Sequence, residues 1–347
     1  MGLNARTVAF DVLEAVERHG DFADELLRSK PLESQEANLA NEIVFGVLRQ
    51  RGQLDYLIGH YAGRTPKLDR EVRIALRMGI YQLRYLDRIP PHAAVSTSVD
   101  LVKRARKMSA VGFANAVLRK VNRDPVTYPT DAVALSMPDW LLAKWEKQFG
   151  AAAAHAAASY FLSKPAAYQR GERQMDIGAQ SIVPLLELRP EHRFLDLCAA
   201  PGNKTLQAAE SGVRPVACDR SRKRLAAIPV ERRVQLDAAQ ALPFRPVFDR
   251  VLVDAPCSGT GTMGRNPEIK WRVSPEEIER QAERQVQILR AALEVLAPGG
   301  RLVYATCSLE REENEGVVER FAGRVLEMGY RLPGREAGDG FFHAVLA

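Results

Sequence analysis

Cysteine is scarce in this chain: 347 residues hold 4, at positions 198, 218, 257 and 307. None lies close enough to another for a Cys-x-x-Cys knuckle. The 6 histidines (19, 60, 92, 155, 192 and 343) form no ligand pattern, so no metal site is expected. No apolar run is long enough to cross a bilayer, and the first residues, MGLNARTVAFDVLEAVERHG, lack the apolar centre of a signal peptide. The expected setting is cytoplasmic, with no membrane partner. Disulfides are rare there, which leaves each cysteine as either a reactive thiol or a packing residue.

With 46% hydrophobic residues the chain is globular. Its length exceeds the roughly 250–300 residues that one core usually supports, so two domains are expected. Acidic residues are missing from one place. Lys103 to Arg123 carries seven basic residues and no acid, and residues 1–130 hold 20 Lys+Arg against 15 Asp+Glu. Residues 131–347 hold 29 against 28, from totals of 49 and 43. A basic stripe on a nearly neutral chain is either the footprint of nucleic-acid binding or a solvated helix face.

Residues 1–126 read as a helical bundle. Val8, Val12, Leu13 and Val16 recur at helical spacing, as do Leu39, Ile43, Val44 and Val47, then Leu54, Leu57, Ile58 and Tyr61, then Val72, Leu76, Ile80 and Leu83. Val95, Val99 and Val102 follow Pro90-Pro91, and Phe113, Val117, Leu118 and Val121 line the last helix. Residues 127–175 read as a Pro-punctuated linker with helices, whose Trp140 and Trp145 are expected to pack against the next domain. From 176 to 347 the period changes. FLDLC (194–198), RPVACD (214–219), RVQLD (233–237), FDRVLVD (248–254), RLVYATC (301–307) and the terminal FFHAVLA read as strands, and a helix over 275–295 stops at Pro298-Gly299-Gly300. Strands alternating with helices predict a Rossmann-like α/β domain with a doubly wound, mostly parallel sheet.

In such sheets ligands bind beyond the carboxyl ends of the strands. Asp219, Asp237 and Asp254 each end a strand there. Asp219 is placed to accept hydrogen bonds from ribose hydroxyls, and a nucleoside ligand fits the set. The turn AAPGNKT is neither a dinucleotide fingerprint nor a P-loop, yet it joins a strand end, a glycine and a helix start, where backbone N–H groups can meet an anion. Cys257 (APCSG) and Cys307 (ATCSL) lie in open loops near expected helix starts, which would favour a thiolate. A helix beginning straight after Ser308 would serve Cys307 best. Cys218 reads as structural.

The segments ANEIVFGVLRQRGQLDYLI, HAAVSTSVDLVKRARK and GFANAVLRKVNR resemble the NusB-like RNA-binding domain that precedes bacterial ribosomal RNA cytosine methyltransferases of the Sun family. DLCAAPGNKT, VDAPCSGTGT with RNPEIKWR downstream, and YATCSLEREENE resemble that family's catalytic domain. The resemblance implies S-adenosylmethionine as cofactor and RNA, most notably 16S ribosomal RNA, as substrate. It implies that Cys198, Ala199, Ala200, Pro201, Gly202, Asn203 and Lys204 hold the methionine part, Asp219 the ribose and Asp237 the adenine side, with Asp254 beside them. It makes Cys307 the nucleophile towards carbon 6 of cytosine, with Cys257 assisting release. Asp254, protonated or sharing a proton, would bind ring nitrogen 3, and Lys204 would orient the pair. The turn reads PGNKT where the family usually has PGGKT, MDIGAQS is a loose form of its QDxxSQ, and a small α/β module usual before the sheet is expected to be missing. The resemblance implies neither DNA nor a second subunit. The contrasting reading is a NusB-like RNA-binding or assembly factor whose sheet has lost its cofactor.

Overall fold

The computed structural model describes residues 4–64 and 67–347. They form two units: residues 1–163 with 264–272, and residues 164–263 with 273–347.

The first unit is helical. Its helices include Ala5–His19, Ser34–Arg49, Arg51–Ala62, Arg70–Tyr85, Pro91–Arg104 and Val111–Arg119. Asn4 caps the first by accepting the N–H of Thr7 at 2.9 Å, the side-chain substitute for a missing helical partner. The apolar stripes read from the spacing meet in one core, where Leu13, Ile43, Leu48, Leu54, Leu57, Ile80 and Leu118 are buried. Each such side chain contributes about 1.5–3 kcal/mol on leaving water. Arg77 lies inside this core, chelated by Asp55 at 2.6 and 2.7 Å and bonded to Glu17.

Folding answers part of the basic stripe from elsewhere in the chain. Arg104 takes Asp11 at 2.6 and 2.9 Å, Lys107 takes Asp69 at 2.9 Å, and Arg123 pairs with Asp87. The expected linker also differs. Asp131–Ala134, Asp139–Phe149 and Ala151–Tyr160 are helices of the first unit, and the chain leaves it after Ser163. Trp145 is fully buried, its ring 6.1 Å from that of Phe161, while Trp140 is 37% exposed.

The second unit holds a seven-stranded sheet, with β1 Phe194–Asp196, β2 Val216–Asp219, β3 Arg232–Gln235, β4 Phe248–Asp254, β5 Leu296–Thr306, β6 Val325–Arg331 and β7 Phe341–Leu346. The order is β3-β2-β1-β4-β5-β7-β6, with β7 antiparallel to β5 and β6 and the other pairs parallel. Alternate residues of the central strands face opposite sides. Val251, Val253, Leu302 and Tyr304 pack with Val286 and Leu289 of the helix Pro275–Glu294, and Leu252, Val303 and Ala305 pack with Ile182, Leu186 and Ala208. Both faces are covered, which is why these strands read as continuous apolar runs.

Three local expectations are corrected. The helix Pro275–Glu294 ends before Pro298, and the Pro-Gly-Gly turn instead sits in a register shift of β5, between the pairs Phe248–Leu296 and Arg250–Arg301. Proline lacks a donor and Gly299 has φ +72°, so neither suits a regular ladder. β6 had no counterpart in the sequence reading. Residues 264–272, carrying RNPEIKWR, join the helical unit and not the sheet. There Trp271 donates to Leu48 O at 2.9 Å, and Arg49 donates to Gly264 O at 3.0 Å. Among the described residues no helix is long and apolar enough to cross a membrane.

Candidate active site

Strand order reverses between β1 and its neighbours β2 and β4, and that switch point is where an open α/β sheet leaves a crevice. A cavity of about 620 Å³ lies there, lined among others by Cys198, Ala200, Asp219, Asp237, Asp254, Cys257 and Cys307. The strand-tip residues singled out from the sequence thus converge on one space.

The turn after β1 is held from β2. Ala199 N–H donates to Cys218 O at 2.8 Å, and Ala200 N–H donates to Asp219 Oδ2 at 3.1 Å. Ala200-Pro201 is a cis peptide. Gly202 then turns the chain at φ +106°, where an added Cβ would also press on Ile228, so the demand for glycine falls here. Asn203 is the first residue of the helix Asn203–Ala209 and lies outside the left-handed region. The replacement of the usual second glycine therefore strains nothing, and Asn203 gives the lost-cofactor reading no support.

Asp196, at the end of β1, was not given a role from the sequence. It is buried. Its Oδ2 accepts the Thr205 hydroxyl at 2.6 Å, and its Oδ1 has no hydrogen-bond partner. Burial pushes its carboxyl up to about 7 against the Thr205 bond. An orphaned acceptor beside the 199–204 turn fits the ammonium of an amino-acid moiety. Asp219, whose Oδ1 accepts Ser221 N–H at 2.8 Å, keeps further lone pairs for ribose hydroxyls. Asp237 is steadied by Arg284 at 3.0 Å, a second residue with no signal in the sequence beyond its place on a helix. Asp196, Asp219, Asp237 and the turn would hold S-adenosylmethionine in a cavity of fitting size. Ala199, Pro201, Gly202 and Asn203 shape that turn.

Lys204 Nζ donates to Asp254 Oδ2 at 2.7 Å and stands 5.1 Å from the centre of the Phe341 ring. Burial works against its ammonium, yet the charge and hydrogen bond of Asp254 outweigh burial, and Cys307 and Asp196 add to the upward shift. The upward shift favours the ammonium form of Lys204.

β4 and β5 run parallel, with Asp254 opposite Ala305. Their tips therefore deliver Cys257 and Cys307 side by side, with Sγ–Sγ 3.4 Å. Gly261 N–H donates to Cys307 O at 2.9 Å and Gly261 O accepts Gly340 N–H at 2.8 Å, so close to Gly340 that a Cβ could not fit. The two thiols differ. The hydrogen bond to Cys307, then burial, then the charges of Cys307 and Glu313 push the Cys257 thiol well up, which corrects the expectation of a thiolate there. The helix expected straight after Ser308 is also absent. A 3-10 turn, Arg311–Glu313, and the short helix Glu315–Val318 follow instead. Lys204 lies within electrostatic reach of Cys307. Burial pushes the Cys198 thiol well above its ordinary value and the Cys218 thiol up to about 12, which disfavours the thiolate in both. Among the described residues no group of three or more His, Cys, Asp or Glu could hold a metal ion.

Residues 183–330 match the family 16S rRNA methyltransferase RsmB/F, and residues 3–123 match the NusB family. The chain is 34% identical to the ribosomal RNA small subunit methyltransferase B of Thermus thermophilus over 98% of this chain and 97% of that protein. It is 30% identical to a probable ribosomal RNA small subunit methyltransferase B of Synechocystis, over 92% of this chain and 89% of that protein. The crystal structure of PH0851 superposes with a TM-score of 0.76 over 100% of this chain and 99% of that one, at 20% identity, which speaks for the fold.

Proposed function

Because the chain belongs to the 16S rRNA methyltransferase RsmB/F family, and so methylates ribosomal RNA from S-adenosylmethionine, we propose that it methylates carbon 5 of a cytosine through a covalent cysteine adduct. The observation that carries this reading is the 3.4 Å approach of two sulfurs beside a half-buried lysine–carboxylate pair.

Carbon 5 of cytosine is too electron-poor to attack a methyl sulfonium. Addition of the Cys307 thiolate to carbon 6 pushes an electron pair towards carbon 5 and makes it nucleophilic. Asp254, sharing a proton with Lys204, hydrogen-bonds ring nitrogen 3 and steadies the charge that develops there. Bound S-adenosylmethionine supplies an electrophilic methyl group. Once methylated, carbon 5 must lose its proton, and the pair left behind expels Cys307 as thiolate.

Cys257 suits that second half. Two of the effects that keep its thiol protonated come from Cys307 itself, its hydrogen bond and its charge. Both vanish when Cys307 becomes a thioether, so Cys257 turns more acidic once the adduct exists and can then serve as base. The target base must leave its stack to reach the thiols. The second thiol and the helical unit favour RNA over DNA. The basic residues of 103–123 would contact RNA phosphates, and the cytoplasm is the fitting compartment. Bisulfite mapping of total RNA with and without the protein tests the assignment. One cytosine should gain protection, and an unchanged map would overturn it.

A further inference from the structure

One buried carboxylate, in neither the cavity lining nor the chemistry above, ties both thiol loops together. Glu313 is fully buried. One oxygen, Oε1, accepts the N–H of Ser258 at 2.7 Å and the side-chain amide of Gln285 at 3.2 Å. The other, Oε2, accepts the hydroxyls of Ser258 and Ser308. Ser258 follows Cys257, and Ser308 follows Cys307. The two hydroxyls also lie 3.2 Å apart.

The anchor is itself braced. Tyr304, buried in β5, donates to Glu313 O at 2.6 Å. Gln285, on the helix Pro275–Glu294, also donates to Pro256 O at 2.8 Å, one residue before Cys257. Thr260 Oγ1 accepts Leu309 N–H at 2.9 Å and closes the network on the far side. Four donors on one carboxylate is the pattern of an ionised group saturated with hydrogen bonds. Burial raises this carboxyl above its ordinary value, and the bonds from Ser258 and Ser308 offset only part of that rise.

We propose that Glu313 is a positioning residue of the reaction, a buried anchor that holds the register of the Cys257 loop against the Cys307 loop and so sets the separation of the two sulfurs. Proton removal and thioether expulsion need one cytosine within reach of both sulfurs at once. A misplacement of about 1 Å costs on the order of 10²-fold in such a step. The proposal rests on reading Cys257 and Cys307 as the reacting pair.

The test separates the two claims. Wild-type protein and Cys257→Ala are assayed first for turnover and for a trapped RNA adduct, which decides the reading of the pair. Glu313→Gln, which keeps the volume and loses the charge, is then compared with Glu313→Asp, which keeps the charge and withdraws it. Three quantities are measured: kcat, the Kd for S-adenosylmethionine, and the rate at which dilute hydrogen peroxide joins the two thiols. In that last reaction two thiols give up two protons and two electrons, the S–S bond forms, and peroxide leaves as two waters. Expected are a 10- to 100-fold loss of kcat and at least a tenfold slower disulfide closure in Glu313→Asp, a smaller loss of both in Glu313→Gln, and cofactor Kd unchanged in each. Closure and kcat within twofold of wild type in both variants would overturn the proposal. So would a loss of cofactor affinity parallel to the loss of kcat, since Glu313 would then merely support the fold. Should Glu313→Asp not fold, Ser258→Ala and Ser308→Ala sever the same bonds one at a time and carry the same expectations.

Discussion

Each of the two units buries a lysine, and they treat it in opposite ways. Lys270, fully buried in the helical unit, donates to three main-chain carbonyls, Arg49 O at 3.3 Å and Ser136 O and Phe161 O at 3.4 Å. Arg49 ends one helix and Phe161 caps another, so the ammonium satisfies carbonyls that their helices leave unpaired. Burial, with the charge of Arg49, brings this lysine down to about 7. Lys204, 11% exposed in the sheet unit, has Asp254 as partner and is displaced upward. Burial alone therefore does not mark a functional lysine. A carboxylate beside an open cavity does.

The contrast breaks most visibly at Lys204. Lys204→Met should lower the rate of methyl transfer by about 10²–10⁴-fold, the range for a lost proton-transfer or charge-stabilising group, with an unfolding temperature near that of the wild type. Single-turnover assays measure it, and a folded variant that keeps full activity would remove Lys204 from the site.

A smaller effect concerns the neighbouring acid. Asp196 titrates near 7 when its orphan oxygen has no cation to bind. A cofactor ammonium prefers the carboxylate, so affinity should be full above pH 7 and weaken as pH falls, by about tenfold per unit below the pKa. Calorimetry with S-adenosylmethionine from pH 5.5 to 8.5 measures the slope. Asp196→Asn should bind more weakly and abolish the slope, and a wild-type affinity flat across that range would contradict this account of Asp196.

Lys270 gives the smallest change in activity. Lys270→Met leaves three buried carbonyls without their donor, so unfolding should become easier by about 1–3 kcal/mol while kcat stays within a factor of about 3 of wild type, roughly 0.6 kcal/mol in barrier. Thermal unfolding beside activity checks both. Loss of turnover in a well-folded variant would place Lys270 with Lys204 and dissolve the comparison.

The same pair of lysines shows what could be read from the residues alone. Lys204 was legible because its partners lie at strand tips, where an apolar run stops at a polar residue followed by small ones. Asp219, Asp254, Cys257 and Cys307 carry that local signature, and all line one cavity. Lys270 was not legible. Its segment looks like part of the catalytic domain, and its burial depends on carbonyls more than a hundred residues away in sequence. β6 was missed for a related reason. As an edge strand it exposes Leu326 by 60% and Met328 by 50%, so burial imposes no alternation on its sequence. Glu313 and Arg284 needed the fold. Each is one charged residue among several on a polar stretch, and only the packing shows which of them turns inward. Asn203, which stands where the family usually has a glycine, already opens the helix, and the left-handed turn falls on Gly202.

The most direct measurement of the central claim is trapping of the protein on its RNA. Cys257→Ala, mixed with ribosomal RNA and S-adenosylmethionine, should accumulate a covalent complex that survives denaturing electrophoresis, because the adduct forms at Cys307 and its release is impaired. Cys307→Ala should form none and show no turnover. A stable adduct in Cys307→Ala, or rapid turnover without any adduct in Cys257→Ala, would contradict the division of labour between the two sulfurs.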